Sequence, residues 1–149
     1  MSLDKNARII IVDDDENIRK TMQTILEDEG YVVDLAVTGN EAIKMTQETA
    51  YNIALLDIRL PDMEGVELLK LIKDNVPRTR KIMVTGYPSM QNAISALNKN
   101  ADAYLVKPVD VEKLLNMVKE QLQLQEDEKN FSEQKVAEFI ETRVKEISI

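Results

Sequence analysis

The sequence predicts an α/β domain built on a doubly wound, five-stranded parallel sheet, followed by an extra C-terminal helix. Three observations carry this prediction. Five short β-rich runs alternate strictly with segments of helical periodicity. Two of those runs, Ile9 to Val12 and Ile53 to Leu56, are apolar without interruption, as strands buried on both faces are. A length of 149 residues with a hydrophobic share of 44% suits one core of ordinary domain size.

The elements follow in order. The first run, Arg8–Asp13 (RIIIVD), leads into a helix whose Ile18, Met22, Ile25 and Leu26 share one face. Gly30 suits the left-handed stop of that helix. After the second run, Tyr31–Ala36 (YVVDLA), Thr38 and Glu41 have the spacing of a capping box, opening a helix that turns Ala42, Ile43 and Met45 inward. The third run, Asn52–Asp57 (NIALLD), precedes a helix carrying Val66, Leu68, Leu69 and Ile72. The fourth, Lys81–Thr85 (KIMVT), precedes one marked by Ile94 and Leu97. The fifth, Ala103–Lys107 (AYLVK), precedes a helix with Asp110 as N-cap and Val111, Leu114, Leu115, Val118 and Leu122 on its apolar side. Right-handed crossovers leave few topologies for this alternation. Five strands over about 120 residues suit the flavodoxin-like order 2-1-3-4-5.

Beyond that helix, Glu126–Asn130 reads as a polar break. Ser132 then reads as the cap of a sixth helix, with Phe131 and Val136 at the positions of a hydrophobic staple. Val136, Phe139, Ile140, Val144 and Ile147 form its apolar stripe. The chain thus divides into a domain over 7–124 and a tail over 125–149. The pattern leaves three placements for the tail open: packing on its own domain, a contact in a homodimer, or a link to an output domain. No DNA-binding, ATPase or cyclase pattern is present in 125–149.

Composition removes several kinds of chemistry. There is no cysteine and no histidine, which excludes disulfides, thiolate nucleophiles, imidazole bases and the usual zinc sites. Carboxylates, lysines, hydroxyls and backbone remain, a set that suits a hard, oxygen-preferring cation. The net charge of −8, without a Lys/Arg cluster, argues against direct nucleic-acid binding. No apolar run reaches the roughly 20 residues that span a bilayer, and the start lacks a secretory pattern, so a cytoplasmic location is expected.

The strand ends carry the candidate site. The first run ends in Asp13-Asp14-Asp15, the third in Asp57, the fourth in Thr85 and the fifth in Lys107. In a parallel sheet these ends share one edge, and open α/β sheets bind ligands at that edge. Singly, each residue also suits a cap, a turn or a solvated strand end. Together they bring carboxylates, a hydroxyl and an ammonium to one crevice. Clustered carboxylates repel one another, and a divalent cation relieves the repulsion. A carboxylate is also a competent nucleophile toward phosphorus, and phosphoryl transfer depends mainly on positioning and charge neutralisation.

On the stretches IIIVDDDENIR, ALLDIRLPDMEGVELLK and KIMVTGYPSMQNAISALNKNADAYLVKPVD, the sequence resembles the receiver domain of two-component response regulators, over about Ala7 to Leu124. The resemblance implies a CheY-like fold. It implies Asp57 as phosphoacceptor, taking its phosphoryl group from a sensor histidine kinase or a phosphotransfer protein. It implies Mg²⁺ or Mn²⁺ held by Asp14, Asp57 and the backbone carbonyl of Arg59, with Asp13 acting through water. Thr85 would bond the phosphoryl group and Lys107 would pair with it. Asp15 falls one place beyond the acidic pair and is expected to cap the helix. A cis bond is implied between Lys107 and Pro108, and Pro61 and Gly65 match the turn after the phosphosite. Thr85 and Tyr104 would form the switch, repacking the surface of the fourth and fifth strands and the helices after them for a downstream output protein or output domain.

Arg59 and Tyr87, each two residues beyond a site residue, are expected to limit attacking water. Three alternatives use the same fold. A Mg²⁺-dependent phosphohydrolase with Asp57 as nucleophile often needs a second acid where Arg59 stands. A flavin protein fits poorly with an aromatic share of 4%. A receiver-like module that never meets phosphate would lack one of the key residues, and none is missing.

Overall fold

Ile9 and Ile11 point to one face of β1 (Arg8–Val12), Ile10 and Val12 to the other, and all four are fully buried. That is possible only in a strand covered on both sides, and the computed structural model shows the cover. It describes residues 6–72, 77–86, 89 and 101–147. The helix expected around Ile94 and Leu97, and Tyr87, lie outside the described residues.

β1 sits inside a parallel sheet with β2 (Val32–Ala36), β3 (Ile53–Asp57), β4 (Arg80–Thr85) and β5 (Ala103–Val106), in the order 2-1-3-4-5. The expected topology is therefore the observed one. Register pairs Ile10 with Ala54, Leu56 with Met83 and Thr85 with Val106. One face carries α1 (Glu16–Asp28) and α4 (Val111–Ile147), whose Met22, Leu26, Leu114 and Val118 pack with Ile9, Ile11 and Leu55. The other carries α2 (Gly39–Glu48) and α3 (Gly65–Leu71), whose Ala42, Leu68 and Leu69 pack with Ile10, Val12 and Leu56.

Three of the predicted caps form. Asp15 accepts from the Ile18 N–H at 3.1 Å, Thr38 from Glu41 at 3.1 Å, and Asp110 from Lys113 at 3.0 Å. Gly30, at φ +97°, follows the end of α1 in the left-handed region that favours glycine.

Gly65 answers a different need. Its N–H donates to the Ile58 carbonyl at 2.7 Å, and a Cβ there would collide with the backbone carbonyl oxygen of Asp57. Gly65→Ala is expected to cost about 1–3 kcal/mol, because backbone rather than a side-chain tip must yield. Gly39→Ala meets only the flexible Met63 side chain and is expected to cost less. Urea denaturation of the two variants checks the order.

The polar break expected at Glu126–Asn130 does not form. α4 runs unbroken for 37 residues, and Ser132 lies in its interior rather than at a cap. The reason is local and tertiary together. The stretch contains neither Gly nor Pro, and Gln123 bonds Asp127 one turn on at 2.9 Å. Gln125 donates to the carbonyls of Asn52 (3.0 Å) and Arg78 (2.8 Å) and accepts from the Asn52 amide at 2.9 Å. Arg80 donates to Gln121 at 2.9 Å and Glu128 at 3.0 Å. These bonds clamp the helix to the N-terminal edge of the sheet past the point where the break was expected. Phe131, Val136, Phe139, Ile140 and Val144 are each more than half exposed, so the domain does not cover them. Ile147 ends the helix, and its side chain lies outside the described residues.

Candidate functional site

β1 delivers Asp13 and Asp14 just past its last residue, β3 ends on Asp57, and Lys107 follows the last residue of β5. The sheet order puts β1 beside β3 and β4 between β3 and β5, so all of these ends share one rim. There they line a cleft of about 400 Å³ with Asp15, Ile18, Arg59 and Gly86. Carboxylate oxygens of Asp13, Asp14 and Asp57 all lie within 4.8 Å of one another. Asp13 is 1% exposed and Asp57 7%, while Asp14 faces solvent.

One ammonium serves two buried carboxylates. Lys107 Nζ lies 2.8 Å from Asp13 Oδ2 and 3.4 Å from Asp57 Oδ2. Backbone and neighbours fix the acids: Asp13 Oδ1 accepts from the Asp15 N–H at 2.9 Å, and Asp57 Oδ1 from the Ile58 N–H at 2.7 Å. Arg19 donates to the Asp13 carbonyl at 2.8 Å. Burial, and after it the Asp13 charge, push the Asp57 carboxyl above its ordinary value of 3.8; Lys107 and the Ile58 N–H offset only part of this. Burial also works against the Lys107 ammonium. Its bond to Asp13 and the charges of both carboxylates outweigh that, and its pKa lies above the ordinary 10.5.

Thr85 is fully buried at the end of β4, and its carbonyl accepts from the Lys107 N–H at 2.8 Å. Tyr104 packs on the core face that holds Met83 and Leu56, and its hydroxyl is buried without a bond among the described residues. The Lys107–Pro108 bond is cis, as the resemblance implies. Asp15 caps α1 and lines the cleft beside the acidic pair.

Some contributors were not foreseen. Asp62 accepts from the N–H groups of Gly39 and Asn40, both at 2.8 Å, and these bonds hold its carboxyl below the ordinary range. It thereby ties the loop after Asp57 to the start of α2. Arg19 braces the Asp13 backbone. Neither carries a signal in spacing alone, because Asp62 acts on main-chain groups far off in the chain and Arg19 on one six residues back, outside its own helix.

The donor set is all oxygen, and its buried acids outnumber the one ammonium, so it fits a hard divalent cation such as Mg²⁺ or Mn²⁺. Arg59 lines the same cleft.

Fold and cleft together define a receiver, a signalling α/β domain with an acidic cluster and a lysine at its strand-end crevice. The chain belongs to the response regulator receiver domain family, whose profile matches residues 9–119. It is 35% identical over 118 residues to the regulatory protein AtoC of Escherichia coli (strain K12), covering 79% of this chain and 26% of AtoC. It is 39% identical over 106 residues to the transcriptional regulatory protein ZraR of Klebsiella oxytoca, covering 71% of this chain and 24% of ZraR. The chain thus spans about a quarter of the length of these curated relatives. Among solved structures it is similar to a CheY-like receiver domain protein from Methanospirillum hungatei JF-1, with a TM-score of 0.78 and 48% identity. That likeness covers 83% of this chain and 98% of the other. Nothing in these comparisons supports the phosphohydrolase alternative. Among the described residues, no helix is long and apolar enough to cross a membrane.

Proposed function

We propose that Asp57 accepts a phosphoryl group from the phosphohistidine of a sensor kinase or phosphotransfer protein in the cytoplasm, and that the resulting charge switches a protein-binding surface. Residues 7–124 would carry this chemistry and 125–149 the connection onward. The observation that carries the reading is the meeting of Lys107 with Asp13 and Asp57 at 2.8 and 3.4 Å, from three separate strands. A single cation beneath two acids is set to pair with an incoming anion once a metal takes up carboxylate charge. Asp14, Asp57, the Arg59 carbonyl and, through water, Asp13 would hold Mg²⁺ or Mn²⁺. Bound there, the metal would offset the charge of the transferring group.

The phosphoryl group adds acceptor oxygens beside the end of β4. Thr85 would bond them, and the space it leaves would hold the Tyr104 ring inward. An apolar hollow of about 540 Å³ borders Lys107 and is lined by Ile18, Met22, Pro108 and Val109 among others. It would seat the apolar side of the phosphodonor. The names of AtoC and ZraR as regulatory proteins support an output beyond this chain, in an output domain or a separate protein. Turnover of a substrate is not the purpose of such a site.

Incubation with acetyl phosphate and Mg²⁺, followed by intact-mass analysis, tests the chemistry. One phosphoryl adduct is expected, absent in Asp57→Ala and without divalent metal. An adduct that persists in Asp57→Ala overturns the assignment. In the phosphorylated sample the amide resonances of Thr85 and Tyr104 are expected to move, and unchanged resonances would end the switch.

A further inference from the structure

The far end of α4 continues the face by which the same helix docks on its domain. Leu114, Val118 and Leu122 are buried against the sheet, and Gln125 is buried in the polar clamp. Steps of three and four onward from Gln125 reach Glu133, Val136, Ile140 and Arg143. Glu128 is bonded to the domain through Arg80 at 3.0 Å. The helix then runs on through residues 129–147, about 28 Å. Along it Val136, Phe139, Ile140 and Val144 are 54–61% exposed.

Two features identify what covers this face. Residues 129–147 hold four basic and four acidic side chains, in a chain whose net charge is −8. Two copies can therefore meet there without the repulsion their domains carry. The apolar face is also interrupted by two opposite charges, Glu133 and Arg143, placed symmetrically about Glu138. Val136 and Ile140 are symmetric about the same residue. An antiparallel pair of helices crossing at Glu138 sets Glu133 of each copy against Arg143 of the other, and Val136 of each against Ile140 of the other. A parallel pair sets Glu133 on Glu133 and Arg143 on Arg143, and like charges placed opposite are destabilising. Among the described residues Arg143 pairs with Glu146 at 3.4 Å and lies 5.3 Å from the Phe139 ring centroid, both exposed contacts that yield readily to a better partner.

We propose that α4 beyond Glu128 pairs with a second copy of this chain as an antiparallel contact centred on Glu138. The pairing goes beyond the phosphoryl chemistry and is tested in unphosphorylated protein. Sedimentation equilibrium of the full chain is expected to show a monomer–dimer equilibrium that Ile140→Asp abolishes. Glu133→Arg or Arg143→Glu alone is expected to weaken it about tenfold or more, and the two together to restore it. The chain has no native cysteine, so single cysteines report direction. Ala137→Cys is expected to form a disulfide-linked dimer under mild oxidation and Lys129→Cys is not. Circular dichroism of each variant confirms that the helix is retained. A monomer at all concentrations, a dimer that survives Ile140→Asp, single charge variants that dimerise as the parent does, or cross-linking through Lys129→Cys would each overturn the proposal.

Discussion

Lys107→Met is expected to destabilise the metal-free protein by about 3–5 kcal/mol, the usual result of removing one partner from a buried ion pair. The substitution keeps the volume of the side chain and deletes its charge. Asp13 and Asp57, whose side chains are 1% and 8% exposed, would then face each other with no cation between them. Divalent metal is expected to recover much of the loss, because it neutralises the same two carboxylates. Phosphorylation by acetyl phosphate should not recover with it. A preorganised donor aimed at developing charge is commonly worth about a hundredfold to a thousandfold in rate. Chemical denaturation with and without Mg²⁺, and the rate of adduct formation at saturating Mg²⁺, separate the structural role from the functional one. A variant as stable as the parent without metal would mean that Asp57 does not need this lysine. A variant that is phosphorylated at the parent rate would remove Lys107 from the chemistry.

The residues of this cleft were legible in the sequence for a topological reason. Asp13, Asp57 and Lys107 are far apart in the chain, but each follows an apolar run, and a parallel sheet sends every such end to one rim. Strand order then decides which ends are neighbours, and the order could be read from the strict alternation of elements. What was not legible is the support around them. Arg19 and Asp62 act on backbone groups, so their identity carries little information until the loops are placed. The tail failed differently. Charged residues at Glu126–Asn130 look like a break only if the helix has nothing left to pack against. In the fold, Gln121, Gln125 and Glu128 meet Asn52, Arg78 and Arg80 at the N-terminal edge of the sheet, and polar side chains continue the helix. Polar residues on the docking face of a helix mark a contact with a polar edge as readily as an end.

Asp57→Asn is expected to act in the opposite direction, stabilising the metal-free protein by about 1–3 kcal/mol at neutral pH. The parent buries two carboxylates against one ammonium. The variant leaves Lys107 paired one-to-one with Asp13 at 2.8 Å, and neutralising a surplus buried charge is commonly favourable on this scale. The amide oxygen can still accept the Ile58 N–H that Asp57 Oδ1 accepts at 2.7 Å. The pH dependence fixes the sign independently. Burial and Asp13 raise the Asp57 pKa in the folded state above 3.8, so the folded protein holds this proton more tightly than the unfolded chain. Its contribution to stability is complete below 3.8 and falls away as pH rises through the folded value. The gap between variant and parent should therefore be small in acid and widen toward neutrality. Lys107 does not disturb the comparison, because its raised pKa keeps its contribution intact until the pH passes above 10.5. Saturating Mg²⁺ should close the gap or reverse it, since the metal stabilises the parent by mass action and the variant has lost a carboxylate. Urea midpoints from pH 4 to 8, measured in EDTA and again in Mg²⁺, give both trends. A parent more stable than Asp57→Asn in EDTA at neutral pH would show that the second carboxylate is favourable where it sits, and that the cleft is not strained toward a cation.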